Sequence, residues 1–262
     1  MSIAERMMSR RSLSSPRVSS PRAGVLCRAL TVALLFTTPM GLQAKIDDTL
    51  HYEPVAPTIE QARANILIAR QLQFTHFRDL QINDELSSDV FYTYLDYLDG
   101  QRIYLTQQDI KRFDRIKHQL GSALKTGQLQ PAFDIYNLVQ QRIIERLEFA
   151  LSVIDQGIDT LDFSKDESIL LDRSKAEWEP DTAALDQLWI RRIKNAVLAQ
   201  RLNGTDDDTI TENLRRRYEG QLKRAYQARS EDAFQAYMNA FAGMWDPHTS
   251  YFSPRTSENF NI

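Results

Sequence analysis

Histidine is the residue type in this chain with the widest chemical range, because it can ligate a metal or act as a general acid or base. The 262-residue sequence contains four histidines. No two of them have the i, i+4 spacing of a helical metal site, and no H-E-x-x-H motif is present. Ligands could still meet across helices, but we expect surface or capping roles for all four: His51, His76, His118 and His248.

Serine and lysine together could support nucleophilic catalysis, with the lysine as base. They are adjacent twice, as Ser164 with Lys165 and as Ser174 with Lys175. Adjacent loop residues rarely hold a nucleophile and a base within mutual reach, so neither pair predicts catalysis. Motifs for phosphate loops, dinucleotide sites and nucleophile elbows are also missing from the sequence. We therefore predict no catalytic, no cofactor-binding and no metal-ligating residue, and no cofactor.

Runs of like charge are better explained by helix ends and helix surfaces than by chemistry. Three aspartates, residues 206–208, precede a helix whose positive end they stabilise. A calcium loop would need a turn glycine and a distal glutamate that are not arranged so here. The arginine runs at 191–192 and 215–217 lie in helices rich in acids, which predicts solvated faces or ion pairs.

The elements that must position these residues are helices. A capping box at Thr58 and Gln61 starts the first, and further helices are predicted over 84–99, 106–127, 131–157, 182–202, 208–228 and 231–245. Gly100 is expected to end one of them in the left-handed conformation, Gly127 is expected to end another, and Ser230 is expected to be an N-cap. No alternating run is long enough for a sheet core. The predicted fold class is all-α, a multi-helix bundle with one irregular segment.

The irregular segment covers residues 158–180. Within it, residues 168–171 could form a short strand or a loop held by Leu170 and Trp178. Aromatic residues elsewhere follow helical spacing, which predicts core packing for Phe91, Tyr94, Tyr97, Phe133 and Tyr136.

The first 44 residues resemble a secretory signal peptide. Six arginines precede a mostly apolar run over 29–42, and Ala44 follows. A membrane-spanning helix needs about 20 residues, so this run of 14 predicts cleavage near Ala44 and no stable membrane span. Arg10 and Arg11 resemble a twin-arginine signal, although ordinary export is favoured. Cys27 precedes the apolar run, so it is no lipobox cysteine, and the mature chain is expected to contain no cysteine.

Charge separates the leader from the body. The whole chain has a net charge of −3, while residues 45–262 hold 26 basic and 34 acidic side chains. An acidic body disfavours nucleic acid as a partner, because phosphate binding requires clustered cations.

Four stretches resemble the N-terminal domain of periplasmic tail-specific proteases, the C-terminal processing peptidases of Gram-negative bacteria. They are RIYLTQQDIKRF (102–113), PAFDIYNLVQQR (131–142), LDRSKAEWEPDTAALDQLWIRRIKNAVL (171–198) and DPHTSYFSP (246–254). The similarity extends in order over roughly residues 57–261.

This resemblance implies more than the residues alone do. In the family, the helical region helps to build the vessel around the proteolytic site and precedes a PDZ domain and a Ser–Lys protease core. The implied partners are those remaining protease domains, a lipoprotein adaptor and protein substrates. We expect a periplasmic, non-catalytic accessory domain over 57–245, preceded by a linker (45–56) and followed by a connector (246–262) toward domains that this truncated chain lacks.

Two alternatives remain, a free-standing periplasmic helical binding or adaptor protein and a hydrolase with unrecognised residues. In the D-P-H-T-S-Y motif, Asp246 or Thr249 is expected to bond nearby backbone amides, which favours a rigid connector over a binding role for His248. Apolar residues near the end are expected to pack partly on the other helices and to leave the rest of their surface exposed, which predicts that the isolated chain self-associates or needs a partner: Phe234, Tyr237, Met238, Phe241, Trp245, Tyr251, Phe252 and Phe260. Residues after Pro254 are expected to be disordered.

Overall fold

A computed structural model describes residues 51–258, apart from the side chains of Arg255 and Glu258. The predicted leader, Cys27 and Phe260 lie outside these residues. The helices are α1 (Ile59–Thr75), α2 (Asp84–Asp99), α3 (Gln107–Arg112), α4 (Gln119–Thr126), α5 (Gln130–Asp155), α6 (Thr182–Leu202), α7 (Asp207–Tyr226), α8 (Ser230–Trp245) and α9 (Pro254–Glu258). Within the described residues there is no strand, only one isolated bridge between Thr106 and Glu179. The all-α prediction is confirmed.

Side-chain caps mark the starts of three helices, and the capping box predicted for the first of them is confirmed. Thr58 and Gln61 form the reciprocal capping box of α1. The side chains of Asp181 and Asp206 each accept a backbone hydrogen bond at the start of α6 and α7. Gly127 ends α4 with φ at 74°, a left-handed conformation that glycine adopts without steric cost.

The helix predicted over 106–127 is two helices, α3 and α4. The connecting residues use shorter i to i−3 bonds, and Ser87 of α2 satisfies polar groups at the break. Its hydroxyl donates to the Lys117 carbonyl oxygen at 2.6 Å and accepts from the Gly121 amide at 2.8 Å. This hydroxyl on another helix gives no periodic signal, which is why the break was not predicted.

Three local predictions are wrong. Gly100 ends α2 in the right-handed region, and Arg102 takes the left-handed conformation instead, with φ at 51°. Ser230 lies inside α8, where its hydroxyl donates to oxygens of Ala56 and Gln61. Tyr97 is exposed rather than part of the core.

Helix α5 runs through both halves of the hydrophobic core. Its first half packs with α2, α4 and α8, through Phe133, Tyr136 and Val139. Its second half packs with α6 and α7, through Leu147 and Ile154. At 1.5 Å per residue its 26 residues span about 39 Å, so this one element ties the two clusters together.

The α8 stripe lies in the first cluster and is almost completely buried. Its residues are at most 1% exposed: Phe234, Tyr237, Met238, Phe241 and Trp245. The prediction of exposed apolar surface is therefore wrong for this stripe, because α2 and α5 cover it, whereas Phe252 from the same predicted set is 48% exposed. Residues 168–171 form no strand and Leu170 is exposed, whereas Trp178 is half-buried and does hold the segment.

Candidate functional site

The segment that leaves α8, residues 246–253, turns back and runs along the helix it has just left; we call it the return segment. Gln235 and Asn239 lie four residues apart on α8. The Asn239 side-chain oxygen accepts from the Tyr251 amide at 2.6 Å, and the Gln235 oxygen accepts from the Ser253 amide at 3.0 Å. Four helical residues rise about 6.0 Å, close to the 6.6 Å of two extended residues, so the spacings match.

Asp246 makes the reversal itself. Its carboxylate accepts from the His248 amide at 3.0 Å and from the Thr249 hydroxyl at 3.4 Å, as the turn prediction proposed. The hydrogen bond from the His248 backbone, followed by the charge of the histidine, lowers the pKa of the Asp246 carboxyl. His248 contributes its amide to this turn, and it belongs to no group of three or more potential metal ligands among the described residues.

A short helix follows the return segment. The Ser253 hydroxyl accepts from the Thr256 amide at 3.3 Å, and the Thr256 hydroxyl donates to Gln235 at 3.1 Å. Residues 254–258 are therefore helical, whereas disorder was predicted after Pro254. The missed signal is a capping serine directly before a proline in the first helical turn.

A cleft of about 420 Å³ lies between the return segment and the first turns of α1 and α8. Its floor includes Phe234, on which the Tyr251 ring packs edge-on at 5.2 Å. The Gln61 side-chain oxygen accepts from the Thr58 amide and from the Ser230 hydroxyl, each at 2.9 Å. These bonds join the first turns of α1 and α8 at the mouth of the cleft.

A second network fastens the irregular segment to the loop after α2. The buried carboxylate of Asp99 accepts from the amides of Ile103, Tyr104 and Leu105 and from the Trp178 indole, at 2.8 to 3.3 Å. Burial raises the pKa of the Asp99 carboxyl, and these bonds oppose the rise. Sequence reasoning missed this network, since a lone aspartate at a helix end has no distinctive spacing.

Two arginines, one in the loop after α2 and one in the irregular segment, make further contacts that hold the irregular segment. The Arg102 guanidinium lies 4.4 Å from the Trp178 ring centroid and donates to the Ala176 carbonyl oxygen. Arg173 is buried and forms an ion pair with Glu179 at 3.0 Å. The irregular segment is thus held at its C-terminal half by charge-assisted bonds rather than by a strand.

The structure does not bring the residues that were considered for catalysis together into a site. Ser164 donates to Asp162 at 2.6 Å, and Lys165 pairs with the same carboxylate at 3.7 Å, in an exposed loop. The Ser174 amide donates to Asp172 at 3.0 Å, also at the surface. Over residues 51–258 no cluster of three potential metal ligands occurs. The arrangement offers no paired nucleophile and base at these positions within the described residues.

The family model described as tail specific protease N-terminal domain matches residues 68–255. That range covers most of the chain and includes both networks. This chain belongs to the tail-specific protease N-terminal domain family. The resemblance expected from the four stretches is confirmed.

A named relative agrees with this assignment. The chain is 34% identical over 195 residues to the tail-specific protease of Haemophilus influenzae (strain ATCC 51907 / DSM 11121 / KW20 / Rd). The match covers 73% of this chain and 27% of the relative, so the chain corresponds to about a quarter of that protease. Among helices of residues 51–258, none is long and apolar enough to cross a membrane.

Proposed function

We propose that this chain is a non-catalytic accessory domain that orients the protease portion of a periplasmic tail-specific serine protease, which trims or degrades proteins from their C-termini. The observation that carries the proposal is the return segment. Two amide side chains of α8 and the Asp246 turn hold it rigidly where the chain leaves the bundle. A loose linker would need none of these bonds, whereas a domain that orients its neighbour needs all of them.

The domain limits follow from this reading. Residues 57–245 form the accessory bundle, 45–56 the linker that precedes it, and 246–262 the connector toward a PDZ domain and a Ser–Lys protease core. Its partners are those domains, protein substrates and a lipoprotein adaptor. The acidic body agrees with protein rather than nucleic acid as partner.

Export of the chain is part of the proposal, since residues 1–44 carry the pattern of a signal peptide. N-terminal sequencing of periplasmic material should find a start close to Lys45. Recovery of the intact arginine-rich N-terminus from the periplasm would contradict export by cleavage.

Lack of catalysis by this chain alone is tested with an unstructured protein that has an apolar C-terminus. The purified chain should be strongly helical and should leave this substrate uncut. Two Ser→Ala variants, at Ser164 and Ser174, serve as controls for contaminating peptidases. Cleavage that either substitution, or a substitution of any other single residue within 45–262, abolishes would contradict the proposal.

A further inference from the structure

Helix α1 presents large apolar side chains to solvent along one side. Three of them are exposed by 66% or more, and two arginines lie between them. At 3.6 residues per turn, all five fall within an arc of about 80°. We call them the α1 face: Ile59, Arg63, Leu67, Arg70 and Phe74.

This face lies opposite the side through which α1 packs on α4 and α8. Internal packing therefore does not explain why Leu67 and Phe74 are apolar. Contiguous exposed apolar surface of this kind marks an interaction site. The two arginines, Arg63 and Arg70, make this site positively charged, because α1 contains a single carboxylate, Glu60. They are seven residues apart.

Helix α2 carries a face of opposite charge. Four exposed residues lie within an arc of about 60°, and we call them the α2 face: Glu85, Asp89, Tyr92 and Asp96. The tyrosine is 45% exposed, and Lys117 lies 5.6 Å from its ring centroid. Asp96 has one partner, Arg102, at 3.6 Å, with more than half of the carboxylate side chain exposed.

The two faces have the same spacing when the helices run in opposite directions. From Arg63, the α1 face continues in steps of 4, 3 and 4 residues. From Asp96, the α2 face goes backward in steps of 4, 3 and 4. In this register each arginine faces a carboxylate and Leu67 faces the tyrosine. The pairs are Arg63 with Asp96, Leu67 with Tyr92, Arg70 with Asp89, and Phe74 with Glu85.

We propose that the α1 face binds the α2 face of a second copy of this chain, with the two helices antiparallel. Charge complementarity and shared register both select this occupant. A single helix pair buries less than the roughly 800 Å² per partner of a standard interface, so the association is weak and reversible. It weakens further with salt, because ions screen the exposed charge pairs.

Sedimentation velocity of the purified chain across the micromolar range tests the association. The double variant Arg63→Glu with Arg70→Glu should raise the dissociation constant at least about tenfold, because it places like charges opposite each other. The matched control is Arg216→Glu with Lys223→Glu, two exposed cations also seven residues apart on α7. The control has the same net charge and should associate as the parent does.

A charge swap identifies the contact partner. Arg70→Asp alone and Asp89→Arg alone should each weaken self-association, whereas an equimolar mixture should form a one-to-one complex. Thermal melts of both variants check folding, and both positions are exposed, so the melts should match the parent.

Three results would overturn the proposal. One is a parent chain that stays monomeric throughout the micromolar range. Another is association that the α7 control weakens as much as the α1 variant does, which would indicate unspecific charge. The third is a mixture of swapped variants that shows no restored complex, which would mean that α1 binds a surface other than α2.

Discussion

Replacement of Asp99 by alanine should substantially lower the stability of this bundle. The carboxylate is 2% exposed and accepts four hydrogen bonds, from three successive backbone amides and from the Trp178 indole. In the alanine variant the amides of Ile103 and Leu105 lie buried without an acceptor. Each orphaned buried donor costs about 1–3 kcal/mol.

The net loss is smaller than the sum of four donors. Tyr104 and Trp178 are only half-buried, so water can partly replace the carboxylate there. Removal of a buried carboxylate whose pKa is raised by burial also relieves its desolvation cost. We expect a loss of about 3–6 kcal/mol in the free energy of unfolding, against the roughly 5–15 kcal/mol typical of a domain.

Urea denaturation followed by circular dichroism measures this loss. The matched control is Asp96→Ala, on the same helix, where the carboxylate is half-exposed and pairs with Arg102 at 3.6 Å. That variant should lose at most about 1 kcal/mol. Limited proteolysis of the Asp99 variant should cut within residues 158–180 first. A loss below about 1 kcal/mol for Asp99→Ala would refute the network reasoning.

Three further predictions follow from local geometry. Burial raises the pKa of Asp109, but hydrogen bonds from Arg142 and Thr106 outweigh it and hold the pKa below 3.8, so the carboxylate stabilises the fold above that pH and this stabilisation is lost as the pH falls. In urea denaturation the stability advantage of the parent over Asp109→Asn should therefore shrink below about pH 4. A difference that stays constant with pH would contradict this. Gln235→Ala and Asn239→Ala should each cost about 1 kcal/mol and speed proteolysis within 246–253, with unchanged cleavage as the contrary result. Gly121→Ala should destabilise the bundle by about 1–3 kcal/mol, because the added Cβ would lie 3.0 Å from the Cβ of Ser87. Gly243→Ala, where the added Cβ meets no other atom, should stabilise it by about 0.5–1 kcal/mol. Equal melting of both variants would refute these two predictions.

Periodic signals predicted the bundle well. Helices α2 and α6 begin and end at the residues that apolar spacing and caps indicated, and α5 is the longest, as predicted. These features depend on neighbours within four residues, which the sequence displays directly. The long-range ties were missed because their partners lie far apart in sequence: Ser87 breaks the helix at Lys117, and Asp99 holds Trp178 from 79 residues away.

The apolar end of the chain shows the same limit. Phe234 and Trp245 were expected to be partly open, but α2 and α5 cover them. The exposed apolar surface lies instead on α1, at Leu67 and Phe74, where helical spacing predicted an ordinary core-facing helix. Amphipathic spacing locates an apolar face without showing whether anything covers it. The site was predicted in outline. The turn at Asp246 was expected, whereas the hydrogen bonds between α8 and the return segment were not expected.

The accessory role is tested most directly in the Haemophilus influenzae relative. Its region matching this chain would be deleted in one variant and replaced by residues 51–258 in another, and cleavage of an unstructured protein with an apolar C-terminus would be measured. The account predicts loss of cleavage on deletion, recovery with the replacement, and weaker recovery when the replacement carries Gln235→Ala and Asn239→Ala. Full cleavage by the deletion variant would contradict the account, because the protease would then need no helical domain to orient it.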